Sequence, residues 1–476
     1  MLWQDKAIKY MNKLGIDSLK EEQFEVINEL LLGNDVIGLL PTGYGKSLCY
    51  ILPPLVKRKV IFVISPLIAL MDEQCNKLIE SGIKACSLNT NNKNKHKDII
   101  NIVNGKIKIV FMSPEYLLSS GLDLANTLIE NDLLGFLAID ECHCISVWGH
   151  DFRNEYTLIK TFRDNFPDIP ILALTATATN NICSDVIKYL SLKKPSIIRA
   201  SFDRPNLSIN MIQYNASIKK KVIVKKYSEK YKNQKIIVYI NTRIDTENLA
   251  SELNRFGVKC KAYHAGLSKE ERQTILEEFT NNCSQENICN IIISTIAFGM
   301  GIDQIVRCVI IFGFPSSIEE YFQQIGRAGR DGLPSETILY YDYSCYRKIA
   351  YMGDTKNSKQ KMECLNNMKK LVYLKTCRRR FILDYFDEKI NFINCNNCDI
   401  CFKEQVDISK DILKAKSIND INKLFTTNLE INNLMFKWRK EKLKMKFMVP
   451  KEYLKLSSND ELDDFDKFEK IYKNNI

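Results

Sequence analysis

The chain has 476 residues, of which 45 % are hydrophobic and 26 % charged, a composition typical of a globular protein with more than one core. Its formal net charge of +11 favours a polyanionic partner, most simply a nucleic acid, although a composition rich in Lys, Asn and Ile explains the same excess. The first residues lack a secretion signal and no apolar run could cross a bilayer, which argues against secreted and membrane-spanning classes. We expect an intracellular, soluble protein, in the nucleus, cytoplasm or nucleoid according to the host.

Two sets of buried-strand patterns, each with helical stretches between the strands, run through residues 1–345. The first set lies at 35–40, 60–65, 107–112, 134–140 and 171–175, and the second at 235–240, 259–263, 290–294, 307–312 and 337–341. This alternation predicts two α/β units, each with a mainly parallel, doubly wound sheet. The stretch 201–206 interrupts the pattern and is the expected boundary between them.

The first predicted strand is followed by the run PTGYGKS at residues 41–47 and then by a helix. A glycine-rich turn between a strand and a helix presents backbone N–H groups to phosphate oxygens. Lys46 can then reach the outer phosphates, and the Ser47 hydroxyl can bind Mg²⁺. The pattern predicts a phosphate-binding loop; a turn used only for packing is the alternative.

Two acidic residues, Asp140 and Glu141, stand where the predicted strand at 134–140 ends. Carboxylates at the C-terminal end of a parallel strand face the crevice in which ligands bind in open α/β sheets. Asp140 can hold Mg²⁺, and Glu141 can polarise the water that attacks the γ-phosphate of ATP. A solvated acidic turn is the alternative interpretation.

The segment CISVWGHDFR at residues 144–153 concentrates aromatic and basic side chains directly after these carboxylates. Aromatic rings beside an arginine suit base stacking and phosphate contact on single strands. Core packing is the alternative. Because the segment adjoins the expected hydrolysis site, we expect it to couple strand binding to ATP use.

The run QQIGRAGRDG at residues 323–332 carries Arg327 and Arg330 three positions apart. On one helical face, both could reach the same anion. An arginine from a separate lobe stabilises the charge on a transferring phosphoryl group, so that hydrolysis depends on lobe closure. A basic surface patch is the alternative.

Most of the sixteen cysteines stand singly in apolar segments, which is typical of buried residues in a reducing compartment. Cys377, Cys395, Cys398 and Cys401 are the exception, because their spacing is that of metal ligands. Four thiolates suit a structural Zn²⁺ site, which we favour, and an iron–sulfur cluster is the main rival.

These segments together resemble the RecQ family of DNA helicases, in helicase superfamily 2, from about residue 14 to residue 401. The family's motifs are recognisable in order at 19–23, 42–47, 65–71, 113–115, 140–143, 175–179, 241–243, 294–303 and 323–332, followed by the cysteines. The resemblance implies two RecA-like lobes at 1–204 and 205–345, a helical zinc-binding subdomain at 346–402, and a short basic tail at 403–476 with a reduced or absent winged helix.

The resemblance also assigns residues to sites. Those expected to act in ATP hydrolysis are Lys46, Asp140, Glu141, Gln323, Arg327 and Arg330, with Arg330 as the arginine finger. Those expected to bind ATP are Lys20, Gln23, Thr42, Gly43, Gly45, Lys46, Ser47, Gly301 and Asp303, and Ser47 and Asp140 would hold Mg²⁺. Those expected to contact DNA are Ser65, Pro66, Ser113, Trp148, His150, Phe152, Arg153, Thr242, Arg243 and Thr295.

The sequence departs from the family at several positions. Leu19 and Ile16 replace aromatic residues, so adenine stacking is expected to be weaker. Other replacements are Cys142 for Ala, Val147 for Gln, Ile311 for His and Gln324 for Glu. None removes a group that must bind Mg²⁺, phosphate or the attacking water.

We expect the 75 residues after Cys401 to be fewer than the family's winged helix usually needs, with no room for the family's further C-terminal domain. The basic-aromatic run FKWRK at residues 436–440 could contact DNA or pack as an amphipathic helix. We therefore expect simple forks to be unwound and complex junctions to be handled poorly.

The resemblance implies a Mg²⁺- and ATP-dependent enzyme that tracks 3′ to 5′ on single-stranded DNA and unwinds forked duplex, in repair, recombination or replication. A monomer is expected, with replication or repair proteins as candidate partners. Two alternatives stay open: a DNA-binding or strand-annealing scaffold with a vestigial ATPase, and an RNA helicase of the same superfamily.

Overall fold

The computed structural model describes residues 3–89, 92–146, 153–176, 179–214, 219–280, 289–295, 304–351 and 358–402. By packing, the chain divides into two compact units, one of residues 1–374 and 379–391, the other of residues 375–378 and 392–476. The first unit holds two β-sheets, and the second holds the four grouped cysteines. No helix within these described ranges combines the length and the apolar character that crossing a bilayer requires.

The first sheet forms the first lobe and has seven parallel strands in the order β3-β4-β2-β5-β6-β1-β7. Its strands are β1 Val36–Leu39, β2 Val60–Ile64, β3 Ala85–Leu88, β4 Ile109–Met112, β5 Leu134–Ile139, β6 Ile171–Thr175 and β7 Ser196–Arg199. The helices of this lobe are α1 Trp3–Lys13, α2 Glu21–Leu31, α3 Leu48–Lys57, α4 Ile68–Glu80, α5 Lys95–Val103, α6 Pro114–Tyr116, α7 Leu122–Glu130, α8 Asn154–Thr157, α9 Lys160–Asn165 and α10 Asn180–Tyr189.

The second sheet forms the second lobe and has six parallel strands in the order β10-β11-β9-β12-β13-β8. Its strands are β8 Leu207–Gln213, β9 Lys235–Ile240, β10 Lys261–Tyr263, β11 Ile291–Ser294, β12 Val306–Phe312 and β13 Ser335–Tyr341. The helices that follow β8 are α11 Lys220–Lys230, α12 Arg243–Arg255, α13 Lys269–Thr280, α14 Ile318–Ile325, α15 Tyr343–Tyr351, α16 Ser358–Val372 and α17 Arg378–Tyr385.

The central strands are apolar along their whole length because helices cover both faces of each sheet. All five residues of β2 and all six of β9 are buried. Continuous burial of this kind is typical of parallel sheets in α/β proteins. The two predicted doubly wound sheets are therefore confirmed, whereas the proposed four-part domain division stays a prediction.

The strands absent from the sequence-based expectation are β3, β7 and β8, and each lies at an edge of its sheet. β8 alternates buried and partly exposed residues over its first five positions, and β7 has one buried residue among four. An edge strand packs against fewer neighbours and therefore carries a weaker apolar pattern. Because β8 begins at Leu207, it starts directly after the stretch 201–206 that the sequence marks as a boundary.

Candidate active site and metal centre

The phosphate loop at residues 41–47 lies between β1 and α3, as the sequence predicts. Gly43 and Gly45 have φ angles of +80° and +87°, which residues with a Cβ rarely adopt. The Nζ atom of Lys46 donates a hydrogen bond to the backbone oxygen of Leu40 at 3.3 Å. The loop therefore turns sharply at its two glycines and keeps its lysine beside the end of β1.

Gln23, which the family resemblance assigns to adenine, lies against this loop. Its Nε2 donates hydrogen bonds to the backbone oxygens of Tyr44 at 2.8 Å and Gly45 at 3.1 Å. Its Oε1 accepts one from the backbone N–H of Lys20 at 2.9 Å. A Cβ at position 45 would lie 2.6 Å from Nε2, so the close approach of Gln23 also requires glycine there.

Lys20 lies beside the same loop, with its ammonium nitrogen 4.0 Å from the centre of the Tyr44 ring. Burial lowers the pKa of Lys20, and the charge of Arg204 lowers it further. Leu19 and Ile16, which replace the family's aromatic residues, are partly buried against the apolar cluster of α1, α2 and α3. Both therefore serve packing in this lobe.

Asp140 and Glu141 directly follow β5 at the carboxyl edge of the first sheet, as predicted. An Asp140 oxygen accepts a hydrogen bond from the backbone N–H of Glu141 at 3.0 Å. Burial and the neighbouring Glu141 charge raise the pKa of Asp140 to about 7, against the opposing charge of Lys46. The charge of Lys46 does not balance the two neighbouring carboxylates, so the site favours a divalent cation. Carboxylate and hydroxyl oxygens are the ligands that Mg²⁺ prefers.

His143 links the second of these carboxylates to the end of β6. Its Nδ1 lies 2.9 Å from the hydroxyl oxygen of Thr175 and 3.3 Å from a carboxylate oxygen of Glu141. Thr175 opens the stretch that resembles the family's third motif. His143 thus contacts both Glu141 and the end of β6, the strand that lies between β5 and β1.

Arg327 and Arg330 lie in a turn, so the prediction that they share one helical face is wrong. The helix α14 ends at Ile325, and both arginines follow it. Three glycines within the ten residues 323–332 favour an early end of the helix, because each glycine lowers helix propensity. Arg327 is buried and hydrogen-bonds the hydroxyl of Tyr239 in β9, and Gln323 is buried in the last turn of α14.

This turn of the second lobe packs directly on the phosphate loop of the first. A Cβ built on Gly43 would lie 3.2 Å from Cγ and 3.4 Å from Cδ of Arg330. A Cβ built on Gly326 would lie 3.5 Å from Cβ of Thr42. The structure therefore brings Arg330 to the loop that carries Lys46, as the family resemblance predicts.

Arg204, which no motif identifies, fixes the position of that turn. Its guanidinium donates hydrogen bonds to the backbone oxygens of Ala328 at 3.0 Å and Gly329 at 2.7 Å. The backbone N–H of Gly329 also bonds the oxygen of Val306 at 2.9 Å. Only the position of Arg204 in the predicted boundary stretch could have suggested such a role.

The predicted DNA contacts of the first lobe lie along the carboxyl edge of its sheet. Ser65 and Pro66 follow β2, and Ser113 follows the adjacent strand β4. A guanidinium nitrogen of Arg153 donates a hydrogen bond to the backbone oxygen of Pro66 at 2.7 Å. The Ser113 hydroxyl caps α6 by accepting the backbone N–H of Tyr116 at 3.3 Å.

The second lobe repeats this arrangement. Thr242 and Arg243 follow β9, and Thr295 follows the adjacent strand β11. Thr242 caps α12 by accepting the backbone N–H of Asp245 at 3.1 Å. The other predicted site residues, Trp148, His150, Phe152, Gly301 and Asp303, lie outside the described residues, as does the tail at 403–476.

The four cysteines converge in the second unit. Their sulfur atoms all lie within 4.8 Å of one another, and Cys377, Cys398 and Cys401 are buried. Hydrogen bonds from Cys377 and Cys395 hold the pKa of the Cys398 thiol well below its usual range. Four sulfurs within 4.8 Å of one another are the donor set that tetrahedral Zn²⁺ takes in structural sites.

A buried ion pair that the sequence analysis missed braces this centre. Arg378 follows the first cysteine, and its Nε and Nη2 donate to the two carboxylate oxygens of Asp399 at 2.5 and 2.9 Å. Asp399 itself stands between Cys398 and Cys401. The bidentate pair therefore ties the distant cysteine to the clustered three, and only an aspartate inside the cysteine cluster could have signalled it.

Three family models match successive parts of the chain. They are DEAD/DEAH box helicase at residues 20–184, the helicase conserved C-terminal domain at 218–332, and RecQ zinc-binding at 340–402. The boundaries follow the first lobe, the second lobe and the cysteine region in order.

Curated relatives cover the same region. A protein of Acanthamoeba polyphaga mimivirus, named provisionally as an ATP-dependent RNA helicase, is 40 % identical over 83 % of this chain and 72 % of its own length. The ATP-dependent DNA helicase RecQ of Pasteurella multocida is 38 % identical over 81 % of this chain. The match spans 60 % of that bacterial protein, so this chain corresponds to about three fifths of it.

Among solved structures, the helicase MrfA bound to DNA aligns with a TM-score of 0.59 at 19 % identity, over 85 % of this chain and 61 % of that one. This likeness supports the two-lobed fold. The match to the RecQ zinc-binding model and the relatives of 38–40 % identity show the family as well as the fold. The chain belongs to the RecQ family of superfamily 2 helicases.

Proposed function

We propose that this chain is an ATP-dependent DNA helicase that moves 3′ to 5′ along single-stranded DNA and unwinds the duplex ahead of it. The observation that carries the proposal is the contact of Arg330, from the second lobe, with the phosphate loop of the first. A triphosphate held by that loop would be enclosed between residues of both lobes. Hydrolysis would then depend on how the lobes are arranged.

In this mechanism the phosphate loop binds the β- and γ-phosphates through its backbone N–H groups and Lys46. Glu141 orients the attacking water and accepts its proton, and Arg330 neutralises charge on the transferring phosphoryl group. Arg327 acts as a positioning residue through its hydrogen bond to Tyr239. When bound by Ser47 and Asp140, Mg²⁺ supplies electrostatic stabilisation of the phosphate oxygens.

The strand-binding surface is proposed to run along the carboxyl edges of both sheets. In the first lobe, Arg153, the last residue of the segment at 144–153, bonds the backbone oxygen of Pro66 in the stretch that follows β2. In the second lobe, Thr242 and Thr295 lie just beyond the ends of the adjacent strands β9 and β11. If each lobe grips the strand at a different stage, closure and opening move the strand relative to the protein.

A strand-displacement assay tests this activity and its direction. We expect ATP and Mg²⁺ to support release of a labelled oligonucleotide from a duplex with a 3′ single-stranded overhang, and not from a matched duplex with a 5′ overhang. A non-hydrolysable ATP analogue is the control and should support no release. Release from the 5′ substrate alone would contradict the proposed direction, and release from neither would contradict the helicase activity. We also propose that the chain acts on forked DNA, that it works as a monomer, and that replication or repair proteins are its partners.

RNA unwinding is the second candidate, because the mimivirus relative is named as an RNA helicase. The two are separated by ATPase rates measured with single-stranded DNA or RNA of the same sequence and length. We expect DNA to stimulate the ATPase more strongly. Stimulation by RNA alone would establish the second candidate instead.

A further inference from the structure

The boundary stretch at residues 201–206 connects β7 of the first lobe to β8 of the second and contacts the arginine turn at residues 326–332. The Arg204 guanidinium bonds two backbone oxygens of this turn, at 3.0 and 2.7 Å. The Nδ2 atom of Asn206 donates a further hydrogen bond to the oxygen of Gly329 at 2.9 Å. The position of the boundary stretch therefore determines where the arginine turn is held.

Arg379, in the first turn of α17, anchors this stretch and belongs to the same compact unit as both lobes. It is buried, and its Nη1 donates hydrogen bonds to a carboxylate oxygen of Asp203 at 2.9 Å and to the backbone oxygen of Arg204 at 2.5 Å. Its Nη2 donates to the backbone oxygen of Leu207. One planar guanidinium thus bonds three acceptors within five consecutive residues, 203–207, which a lysine ammonium would not match in geometry.

The residues that follow α17 hold the beginning of the same stretch. The carboxylate of Glu388 accepts hydrogen bonds from the Ser201 hydroxyl at 2.5 Å and from the backbone N–H of Phe202 at 2.8 Å. The ring of Phe386 stacks on that of Phe202, with 5.0 Å between their centres. The boundary stretch is therefore fixed along its length by α17 and the residues directly after it.

Arg379 acts on Arg204 through backbone geometry and not through attraction between side chains. Burial lowers the pKa of Arg204, and the neighbouring charge of Arg379 lowers it further, against the opposing charge of Asp331. The two guanidinium groups repel each other, so the Arg204 side chain gains no electrostatic stabilisation from Arg379. What Arg379 holds is the backbone oxygen of residue 204, from which the Arg204 side chain extends to the arginine turn.

We propose that Arg379 is a positioning residue for ATP hydrolysis, because it fixes the backbone from which Arg204 holds the arginine turn. That turn places Arg330 against the phosphate loop, where a Cβ built on Gly43 would lie 3.2 Å from Cγ of Arg330. The inference rests on the proposed function, since it assigns Arg379 an effect on the hydrolytic step. Because Arg379 acts through Arg204 and Arg330, its loss should slow hydrolysis without weakening nucleotide binding.

Single-turnover ATP hydrolysis and equilibrium binding of a non-hydrolysable ATP analogue separate these two quantities. We expect Arg379→Gln to lower the hydrolysis rate by about tenfold and to leave the Kd of the analogue nearly unchanged, because the charge that Arg330 stabilises develops only in the transition state. Arg255→Gln, which removes the same charge from the exposed end of α12, is the matched control and should behave as the unmodified chain does. A normal hydrolysis rate in Arg379→Gln, or an equal loss in analogue binding, would overturn the proposal.

A double variant distinguishes positioning from general damage to the fold. If Arg379 acts through Arg330, then Arg330→Ala combined with Arg379→Gln should hydrolyse ATP as slowly as Arg330→Ala alone, because the two residues work as one unit. Independent effects would multiply. A double variant about tenfold slower than Arg330→Ala alone would therefore show that Arg379 does not act through the arginine turn.

Hydrogen exchange of the backbone amides at 326–332, measured without nucleotide or DNA, tests the same contact independently of hydrolysis. We expect exchange there to be at least about tenfold faster in Arg379→Gln, because the turn loses its fixed support, with β1 and β9 unchanged. Unchanged exchange in the turn, or faster exchange throughout both sheets, would overturn the proposal. If the chain hydrolysed no ATP, the helicase proposal would fail, and this measurement would still decide whether Arg379 positions the turn.

A second variant keeps the test valid if Arg379→Gln does not fold. Asp203→Ala removes one of the three acceptors of Arg379, at a partly exposed side chain, so the chain should fold normally. We expect severalfold faster exchange at residues 326–332 in this variant, since Arg379 then holds the stretch by its two backbone contacts alone. Unchanged exchange in a folded Asp203→Ala would count against the proposal.

Discussion

The nucleotide cleft and the cysteine centre are assembled in opposite ways. The cleft joins residues as far apart in sequence as Gln23 and Arg330, one from each lobe. The cysteine centre uses ligands between Cys377 and Cys401, braced by a pair of residues from the same segment. The first depends on the docking of two lobes, whereas the second depends on one metal and a short stretch of chain.

This difference predicts different responses to mutation. Loss of one thiolate removes binding energy that a small unit cannot replace, because a structural metal site has little core of its own. Loss of one cleft residue removes a chemical function while the cores of both lobes remain, because those cores consist of other, apolar residues. Folding and catalysis should therefore separate cleanly between the two regions.

The largest effect is expected for Cys398→Ser. A serine hydroxyl does not replace a thiolate on Zn²⁺, and zinc binding by such sites contributes about 10–16 kcal/mol. We expect loss of bound zinc, measured by elemental analysis, together with misfolding of the second unit, measured by proteolysis. Cys289→Ser, at a buried single cysteine of the second lobe, is the control and should keep its zinc. A soluble, folded, zinc-free variant would show that the cysteines are not a structural site.

The next effect is expected for Lys46→Ala, which removes the charge that reaches the outer phosphates. Loss of a preorganised donor and of a charged hydrogen bond should lower kcat/KM for ATP by about 10³-fold or more. Zinc content and binding of single-stranded DNA should be unchanged, and strand displacement should be lost. Lys57→Ala, at the exposed end of α3, is the matched control and should behave normally. Unwinding that survives Lys46→Ala would favour the scaffold with a vestigial ATPase.

Sequence motifs predicted where the phosphate loop and the two carboxylates of the cleft lie, because each of them follows a strand. Lys46 lies in the loop that follows β1, and Asp140 directly follows β5, and such positions face the ligand crevice in open α/β sheets. The role of Arg204 was not predictable, because its partners, Ala328 and Gly329, lie more than a hundred residues away. Nothing local signals a contact that exists only once the two lobes dock.

Two further differences between the predictions from sequence and the structure have local causes. The pattern at 323–332 suggested a helical face for Arg327 and Arg330, but the glycines end α14 at Ile325. At the cysteine centre the ligands were predictable from spacing alone, whereas the pairing of Arg378 with Asp399 depends on side-chain orientation. Residue spacing therefore predicted the metal ligands and the phosphate loop better than it predicted the residues that fix their positions, such as Arg378 and Asp399.

A smaller effect on ATP hydrolysis is expected for Arg330→Ala. Loss of the arginine should lower kcat by about 10³-fold and leave nucleotide binding nearly unchanged, because the charge that it stabilises develops only in the transition state. Single-turnover ATP hydrolysis and equilibrium nucleotide binding separate the two quantities. Arg255→Ala, at the exposed end of α12, is the control. If kcat stayed normal while binding weakened, Arg330 would be a binding residue and not the arginine finger.

The smallest effect is expected for Gly43→Ala, which tests the docking of the lobes without removing a charge. Gly43 has a φ of +80°, and the added methyl group would lie 3.2 Å from Cγ of Arg330. Gly257→Ala is a close control, because Gly257 has a φ of +79° and no atom within 4 Å of the added Cβ. Both variants should lose about 1 kcal/mol of stability from backbone strain, measured by denaturant unfolding. Only Gly43→Ala should also lower kcat/KM for ATP, by roughly tenfold, since only there does the methyl group displace a residue of the other lobe. Equal ATPase activity in the two variants would mean that Arg330 does not rest on the phosphate loop during turnover, and the coupling between the lobes would then need another contact.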